Sequence, residues 1–468
     1  MPAVLVAHGH WKHGRVEHLP EYSVPALAAN LAAQGYVVLA YDMVGYNDTR
    51  QLPHKFGGSD EERAWSFHPL GVQLWNSIRA MDVLAAHPLV DASRIGVTGA
   101  SGGGTQTLLL TAVDDRVRVS IPAAMVSATF QGDDDCEVAP GLRIGASNLE
   151  IAALAAPRPQ LLLAASGDWT KHTPELEYPA VRTIYQLYGS AASVNYAYVD
   201  SGHNYNRESR QAAYDFLWRH LALQSGTAPR EDVEFHFPPE SLLIGSQMDR
   251  LTEGVDRKMI FGQWRDRIRQ ARRRISTAAR KELLQGALAL IWPRETKAVE
   301  VNGAYVLDYG GGERVPARWV PSGPARTLVV HEKGMEEAER SPMTQDALRR
   351  GDSLLLVNLF SFGHLFHHRH GDYLTFHRSD DANRIQDILT ALSFLSRGDG
   401  TVTMSCQGLA ALWCSVAAAA APVESKLELR GAEHLDKAKE FYARIPGFHY
   451  AGVDEAVETA VRQTRQER

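Results

Sequence analysis

Residues 97–107 read VTGASGGGTQT and hold Ser101 in a run of small side chains. Gly99-Ala100-Ser101-Gly102-Gly103 satisfies the G-x-S-x-G pattern of a nucleophilic serine on a sharp strand-to-helix turn. Neighbouring backbone comes close to such a turn, so bulk beside the serine would clash. The helix that follows points its N-terminus at the hydroxyl and favours negative charge there. The chemistry is acyl transfer: the hydroxyl attacks a carbonyl, and backbone N–H groups hold the resulting oxyanion. The flanks agree, since apolar RIGVT reads as a strand entering the turn and TQTLLLTAV as a helix leaving it. The competing reading is a glycine-rich turn that binds phosphate or nothing. No Gly-Lys-Ser/Thr follows, so it is not a Walker A loop.

Such a serine needs a base, and the base needs a carboxylate. LLLAASGDWT offers Asp168 and VNYAYVDSGHNYN offers His203, each just past an apolar strand pattern. The chain order Ser, Asp, His is the one that accompanies this turn. His203 would take the proton of Ser101, and Asp168 would fix the imidazole tautomer and stabilise its charged form. Asp200 competes for the acid's role, but it precedes His203 by only three residues on the same strand end. For the oxyanion, one N–H comes from Gly102. The other comes from His10 in the early segment His8-Gly9-His10-Trp11, where Gly9 allows a tight backbone. Trp11 and Trp169 are candidate walls of the substrate pocket, with a core role as the alternative for Trp11.

Several elements must position these groups. Residues 1–222 alternate strand and helix signals: AVLVAHG, a helix pattern closed by Gly35, YVVLAYD, a long polar loop, and LWNSIRAMDVLAAHP. RIGVTG, VRVSIPA, PQLLLAAS and SVNYAYVD follow as strands. Near-continuous apolar strands in β-α order predict a doubly wound, mostly parallel sheet covered on both faces. Residues 223–297 read as a polar linker and an arginine-rich helix. Residues 298–468 restart the pattern, with a β-hairpin at AYVLDYGGGERVPARWV and strands at RTLVVHEKG, DSLLLVNLF and TVTMSC. The second segment reads as an incomplete copy of the first.

Composition narrows the function classes. The 468-residue chain is 44% apolar and 22% charged, as expected of globular domains, and its length implies two or more of them. A net charge of -6 makes no electrostatic case for nucleic acid or an anionic membrane. The arginine-rich helix reads as an exposed connection with Met259, Trp264, Ile268 and Ile275 turned inward. Three cysteines, Cys136, Cys406 and Cys414, are too few for a disulfide framework. No apolar run is long enough to span a membrane. MPAVLVAHGHW lacks a basic leader and a cleavage site and reads as a core strand. The expectation is therefore that residues upstream are missing, which leaves the compartment open: cytoplasmic as it stands, or secreted or periplasmic.

Together VTGASGGGTQT, HGHW, SNLEIAALAAPRPQLLLAASGDWTKHTPE and SGHNYNRESRQAAYDFL resemble bacterial α/β-hydrolases of the acetylxylan-esterase-like kind, near the prolyl-oligopeptidase and dienelactone-hydrolase branches. The resemblance covers most of residues 1–222. It implies an α/β-hydrolase domain with Ser101, Asp168 and His203 as triad, followed by a degenerate second hydrolase-like domain. It also implies a metal-independent serine esterase acting on short acyl esters, acetyl above all, of a carbohydrate such as xylan. A prolyl-oligopeptidase-like peptidase and a catalytically silent carbohydrate-binding module are the alternatives. No cofactor is expected, and the partner is a small-molecule or polysaccharide ester. The leading hairpin usual in the family does not precede AVLVAHG, and the sheet edge this exposes admits a homo-oligomer.

Two further patterns need weighing. VTMSCQGLAALW repeats the serine turn and sets Cys406 opposite Ser101, with bulky Met404 where the turn wants glycine. HEKG replaces HGHW, so the second domain reads as inactive. His364, His367, His368, His370 and His377 suggest a metal, as does DDDCE around Cys136. Their irregular spacing favours solvated loops, and no metal site is expected.

Overall fold

Apolar residues repeat along β1 (Ala3–Ala7), whose five residues are all buried. Val4 and Val6 pack with Leu27, Leu31 and Tyr214, whereas Ala3 and Leu5 pack with Met81, Leu84 and Leu110. One strand thus feeds cores on both sheet faces, as a parallel strand sandwiched by helices must. A short ribbon follows, β2 (His18–Leu19) with β3 (Tyr22–Ser23). Then come β4 (Val37–Tyr41), β5 (Ile95–Ala100), β6 (Val117–Ala123), β7 (Gln160–Gly167) and β8 (Val194–Gly202). The sheet order is β4-β1-β5-β6-β7-β8, with every pair parallel. This is the doubly wound sheet of an α/β-hydrolase.

This computed structural model describes residues 1–232, 239–301, 304–310, 312, 314–361, 371–431 and 444–466. The chain divides into two compact units, Met1–Gly57 with His68–Phe261, and Gly58–Phe67 with Gly262–Arg468. The span 223–297, expected as a linker, is therefore shared between them. Residues past 222 join the first unit through specific bonds. Arg210 pairs with Glu231 at 2.6 Å, Tyr214 donates to the same carboxylate at 2.9 Å, and Ala228 N–H donates to Asp215 at 2.8 Å. Among the described residues no helix is long and apolar enough to cross a membrane.

In the second unit an antiparallel set, β9 (Lys297–Val301), β10 (Ala304–Asp308) and β11 (Arg314–Val320), leads into β12 (Arg326–His331), β13 (Ser353–Val357), β14 (Val402–Gln407) and β15 (Ser425–Arg430). The order is β15-β14-β12-β13-β11-β10-β9. Its middle, β14-β12-β13, repeats β5-β1-β4 of the first unit. Among the described residues no strand follows β15. The turn after β14 differs from the alignment drawn on sequence. Cys406 lies inside β14, fully buried, and is bonded to Cys414. The residue with positive φ after the strand is Gly408, at 68°. Gly408, not Cys406, therefore stands where Ser101 stands in the first unit. The Glu332 carboxylate lies against it and accepts Leu409 N–H at 2.8 Å, placing a negative charge on the helix N-terminus. The cysteines are too few for a framework, yet two of them do pair.

The arginine-rich helix spans Arg257–Arg274. Trp264, Ile268 and Ile275 are half-buried, but Met259, expected inward, is 45% exposed. Its arginines face acids within the second unit: Arg265 pairs with Glu61 at 2.8 Å, and Arg272 with Asp454 at 2.9 Å and Glu455 at 2.7 Å. Of the histidine run, His364, His367, His368 and His370 lie outside the described residues. His377 stacks on Tyr373 at 4.4 Å.

Candidate active site

Because the strands of the first unit run parallel, the loops at their carboxyl ends gather along one rim. Ala7 pairs with Gly99 across β1 and β5, so the His8–Trp11 loop begins beside the serine turn. Gly167 pairs with Gly202 across β7 and β8, so Asp168 and His203 leave neighbouring strands side by side. His203 Nδ1 lies 3.0 Å from Asp168 Oδ2. Asp168 is buried, whereas His203 remains about one-third exposed. Asp200 is committed elsewhere and accepts the Ser166 hydroxyl at 2.6 Å. Asp168 is therefore the carboxylate on His203.

Ser101 has φ 60° and ψ -125°, a conformation L-residues rarely hold. Its N–H donates to Ala123 O at 3.1 Å, and its carbonyl accepts Thr105 N–H at 2.9 Å as the helix Gly102–Val113 begins. The neighbouring glycines are required by contact. A Cβ on Gly99 would sit 2.3 Å from Ala7 O, and one on Gly103 would sit 2.2 Å from the same oxygen. A Cβ on Gly9 would meet Ala100 O at 2.8 Å and Ser101 Cβ at 3.1 Å, so the oxyanion-loop candidate lies directly against the nucleophile turn.

His8 fixes that loop from beneath. It is fully buried; Nδ1 donates to Gly9 O at 2.7 Å and Nε2 accepts Met43 N–H at 2.8 Å. Burial drives its pKa down to about 3, so it stays neutral. The His10 ring lies over Gly102, its Cε1 only 2.6 Å from where a Cβ would be. Trp169 packs on His203, with ring centroids 4.3 Å apart, and stacks on Phe130 at 4.3 Å. Its indole N–H donates to Ala124 O at 2.9 Å. It thus supports the histidine ring from one side. Trp11, expected as a pocket wall, stacks face to face on Tyr22 at 4.2 Å and packs into the core. An apolar ring in a strand-end loop finds more contact inward than in an open cleft.

DDDCE, read as solvated acids, is so only in part: Asp133 is exposed, whereas the residues that follow turn inward. Cys136 is buried, with Sγ 3.0 Å from His10 Nε2. Asp134 faces His54 Nε2 at 3.6 Å. His10, His54, Asp134 and Cys136 each offer one ligand atom, all within 4.8 Å of one another. Glu137, also buried, has its carboxyl pushed up to about 7, by desolvation first. Burial and the neighbouring acids push the Cys136 thiol upward too. His54 carried no signal by itself: a single histidine in a polar loop gains meaning only from residues eighty positions away.

The first unit has the α/β-hydrolase fold, and the rim at its strand ends carries the serine turn and the His203–Asp168 pair. Residues 28–131 match the family described as acetyl xylan esterase (AXE1). The chain is 28% identical over 244 residues to YtaP of Bacillus subtilis, which bears the name "Putative hydrolase YtaP", covering 47% of this chain and 79% of that protein. Among solved structures it is similar to Methylesterase BT1017, at 28% identity and TM-score 0.45 over 56% of this chain. The match spans 60% of that methylesterase's length. A family 15 glucuronoyl esterase from Caldicellulosiruptor kristjansonii matches at 19% identity and TM-score 0.36, covering 51% of this chain and 72% of that one. The match over residues 28–131 agrees with the likeness to acetylxylan-esterase-like hydrolases drawn from the motifs.

Proposed function

We propose that the protein hydrolyses short acyl esters, acetyl above all, of a carbohydrate such as xylan, through a Ser-His-Asp acyl-enzyme mechanism. The observation that carries this reading is His203 Nδ1, 3.0 Å from the buried Asp168 carboxylate, on the strand-end rim that also holds the strained Ser101 turn. The Nδ1–H···Asp168 bond leaves Nε2 as the base. Nε2 takes the Ser101 proton as Oγ attacks the ester carbonyl. The N–H groups of Gly102 and His10 hold the oxyanion. Collapse expels the alcohol, which leaves with the proton from His203. Water, deprotonated by the same nitrogen, then attacks the acyl-enzyme and frees Ser101. The acetyl group and the carbohydrate alcohol are suggested by the family that residues 28–131 match.

The test is hydrolysis of p-nitrophenyl acetate by wild type and Ser101→Ala, followed by acetate release from acetylated xylan. The expected result is turnover of both substrates by wild type alone. Equal rates in wild type and Ser101→Ala would remove the nucleophile. Activity on the activated ester but on no acetylated sugar would remove the carbohydrate. No turnover of any ester by folded wild type would favour a silent binding module.

A further inference from the structure

Beside the serine turn, four side chains from three separate loops turn their ligand atoms toward one point. We propose that His10, His54, Asp134 and Cys136 form a binding site for a tetrahedral transition metal, zinc(II) by its ligand chemistry. The set is two imidazoles, one carboxylate and one thiol, the donors zinc prefers. The four ligand atoms lie within 4.8 Å of one another. Bonds of about 2.0–2.3 Å to a tetrahedral ion require ligand atoms about 3.3–3.8 Å apart. Small rotations of the side chains reach that geometry.

Two atoms of the set are without the partners that burial demands. His54 Nε2 and Asp134 Oδ1 are both buried and make no hydrogen bond, though they face each other at 3.6 Å. A buried polar atom left this way costs about 1–3 kcal/mol, and a cation between them would satisfy both. The outer contacts are those a metal centre uses to orient its ligands. His54 Nδ1 donates to Val44 O at 2.7 Å, which leaves Nε2 with its lone pair toward the cluster. His10 bonds Cys136 through Nε2 and turns Nδ1 toward Glu137, 3.8 Å away. Lys55 holds the other oxygen of Asp134 at 3.3 Å. Glu137 Oε2 accepts Asp133 N–H at 3.1 Å and closes the loop that carries Asp134 and Cys136. With one carboxylate and one thiolate, a divalent ion would leave the inner set neutral.

The site's place gives it a role. The His10 ring packs on Gly102, whose N–H is an oxyanion donor in the mechanism above. A metal holding His10 would lock the loop after β1 against the serine turn. It would act as a positioning element rather than as the reacting Lewis acid.

Metal binding can be read without any ester. Full-length protein free of an affinity histidine tag is stripped with a chelator, dialysed, and titrated with cobalt(II) alone. Wild type is expected to bind one equivalent, with the visible absorption of a tetrahedral ion and a near-ultraviolet thiolate-to-cobalt charge-transfer band. Cys136→Ser should lose the charge-transfer band. His54→Gln and Asp134→Asn should each weaken binding by at least about tenfold. Circular dichroism identifies the variants that fold, and Asp134→Asn keeps shape and volume if Cys136→Ser does not fold. Absence of stoichiometric binding by wild type overturns the site. So does a spectrum that is the same in Cys136→Ser, or an affinity unchanged in a folded Asp134→Asn.

Discussion

Ser101 is held at φ 60°, where a side chain costs about 1–3 kcal/mol of backbone strain. Only glycine would escape that cost. Ser101→Gly should therefore lose all ester hydrolysis while its midpoint in urea falls no lower than wild type. A clear loss of stability would mean that the serine side chain also supports the fold. The carboxylate assignment is tested at the same scale. Asp168 holds His203 at 3.0 Å, whereas Asp200 is taken by Ser166. Asp168→Asn should lower kcat by about 10³–10⁴-fold with KM little changed, because an amide there favours the wrong imidazole tautomer. Asp200→Asn should leave kcat near wild type. The reverse ranking would exchange the two acids.

The loop after β1 depends on a neutral histidine. His8 donates to Gly9 O, accepts from Met43 N–H, and is driven by burial to a pKa of about 3. In the unfolded chain the same ring titrates near 6.5. Between those values the unfolded state binds a proton that the folded state refuses. His8 therefore costs no stability above pH of about 6.5 and costs progressively more as pH falls toward 3, at up to about 1.4 kcal/mol per pH unit. Urea unfolding at pH 7 and pH 5 should show lower stability at pH 5, and His8→Gln should flatten that difference. His10, His68 and His220 are depressed by burial as well, so the comparison with the variant, rather than the wild-type slope alone, isolates His8. Identical slopes in both proteins would show that the loop tolerates a charged ring.

The two units share a strand order in their middles but differ at the turn that follows β5 in one and β14 in the other. In the second, Gly408 occupies the turn, Glu332 sets a carboxylate against it, and Cys406 is buried in a disulfide with Cys414. An oxyanion would meet like charge there, and no hydroxyl or thiol is at the turn to attack. Cys406→Ala should thus leave the esterase rate near wild type in a protein that remains folded. A variant that folds but loses most of its rate on p-nitrophenyl acetate would give the second unit a part in the reaction.

Some of this was legible in residue order alone. Nucleophile turns need small flanks and a helix behind them, so Gly99 to Gly103 reveals itself locally. Chain order placed Asp168 and His203 at strand ends, and parallel strands bring such ends to one rim. The second unit showed where local reading fails. VTMSCQG follows the pattern of the serine turn, yet the strand runs two residues further and the turn falls on Gly408, because register and hydrogen bonding decide where a strand stops. Trp11 was ambiguous for a similar reason, since a tryptophan's choice between core and cleft depends on which ring lies beside it, here Tyr22. Of His10, His54, Asp134 and Cys136, only the last two stood in a stretch that suggested a metal, and nothing in residue order joined the two histidines to it. His10, His54 and the Asp134–Cys136 pair lie tens of residues apart with no period, and only the folding of the loops after β1, β4 and β6 brings the four ligand atoms together.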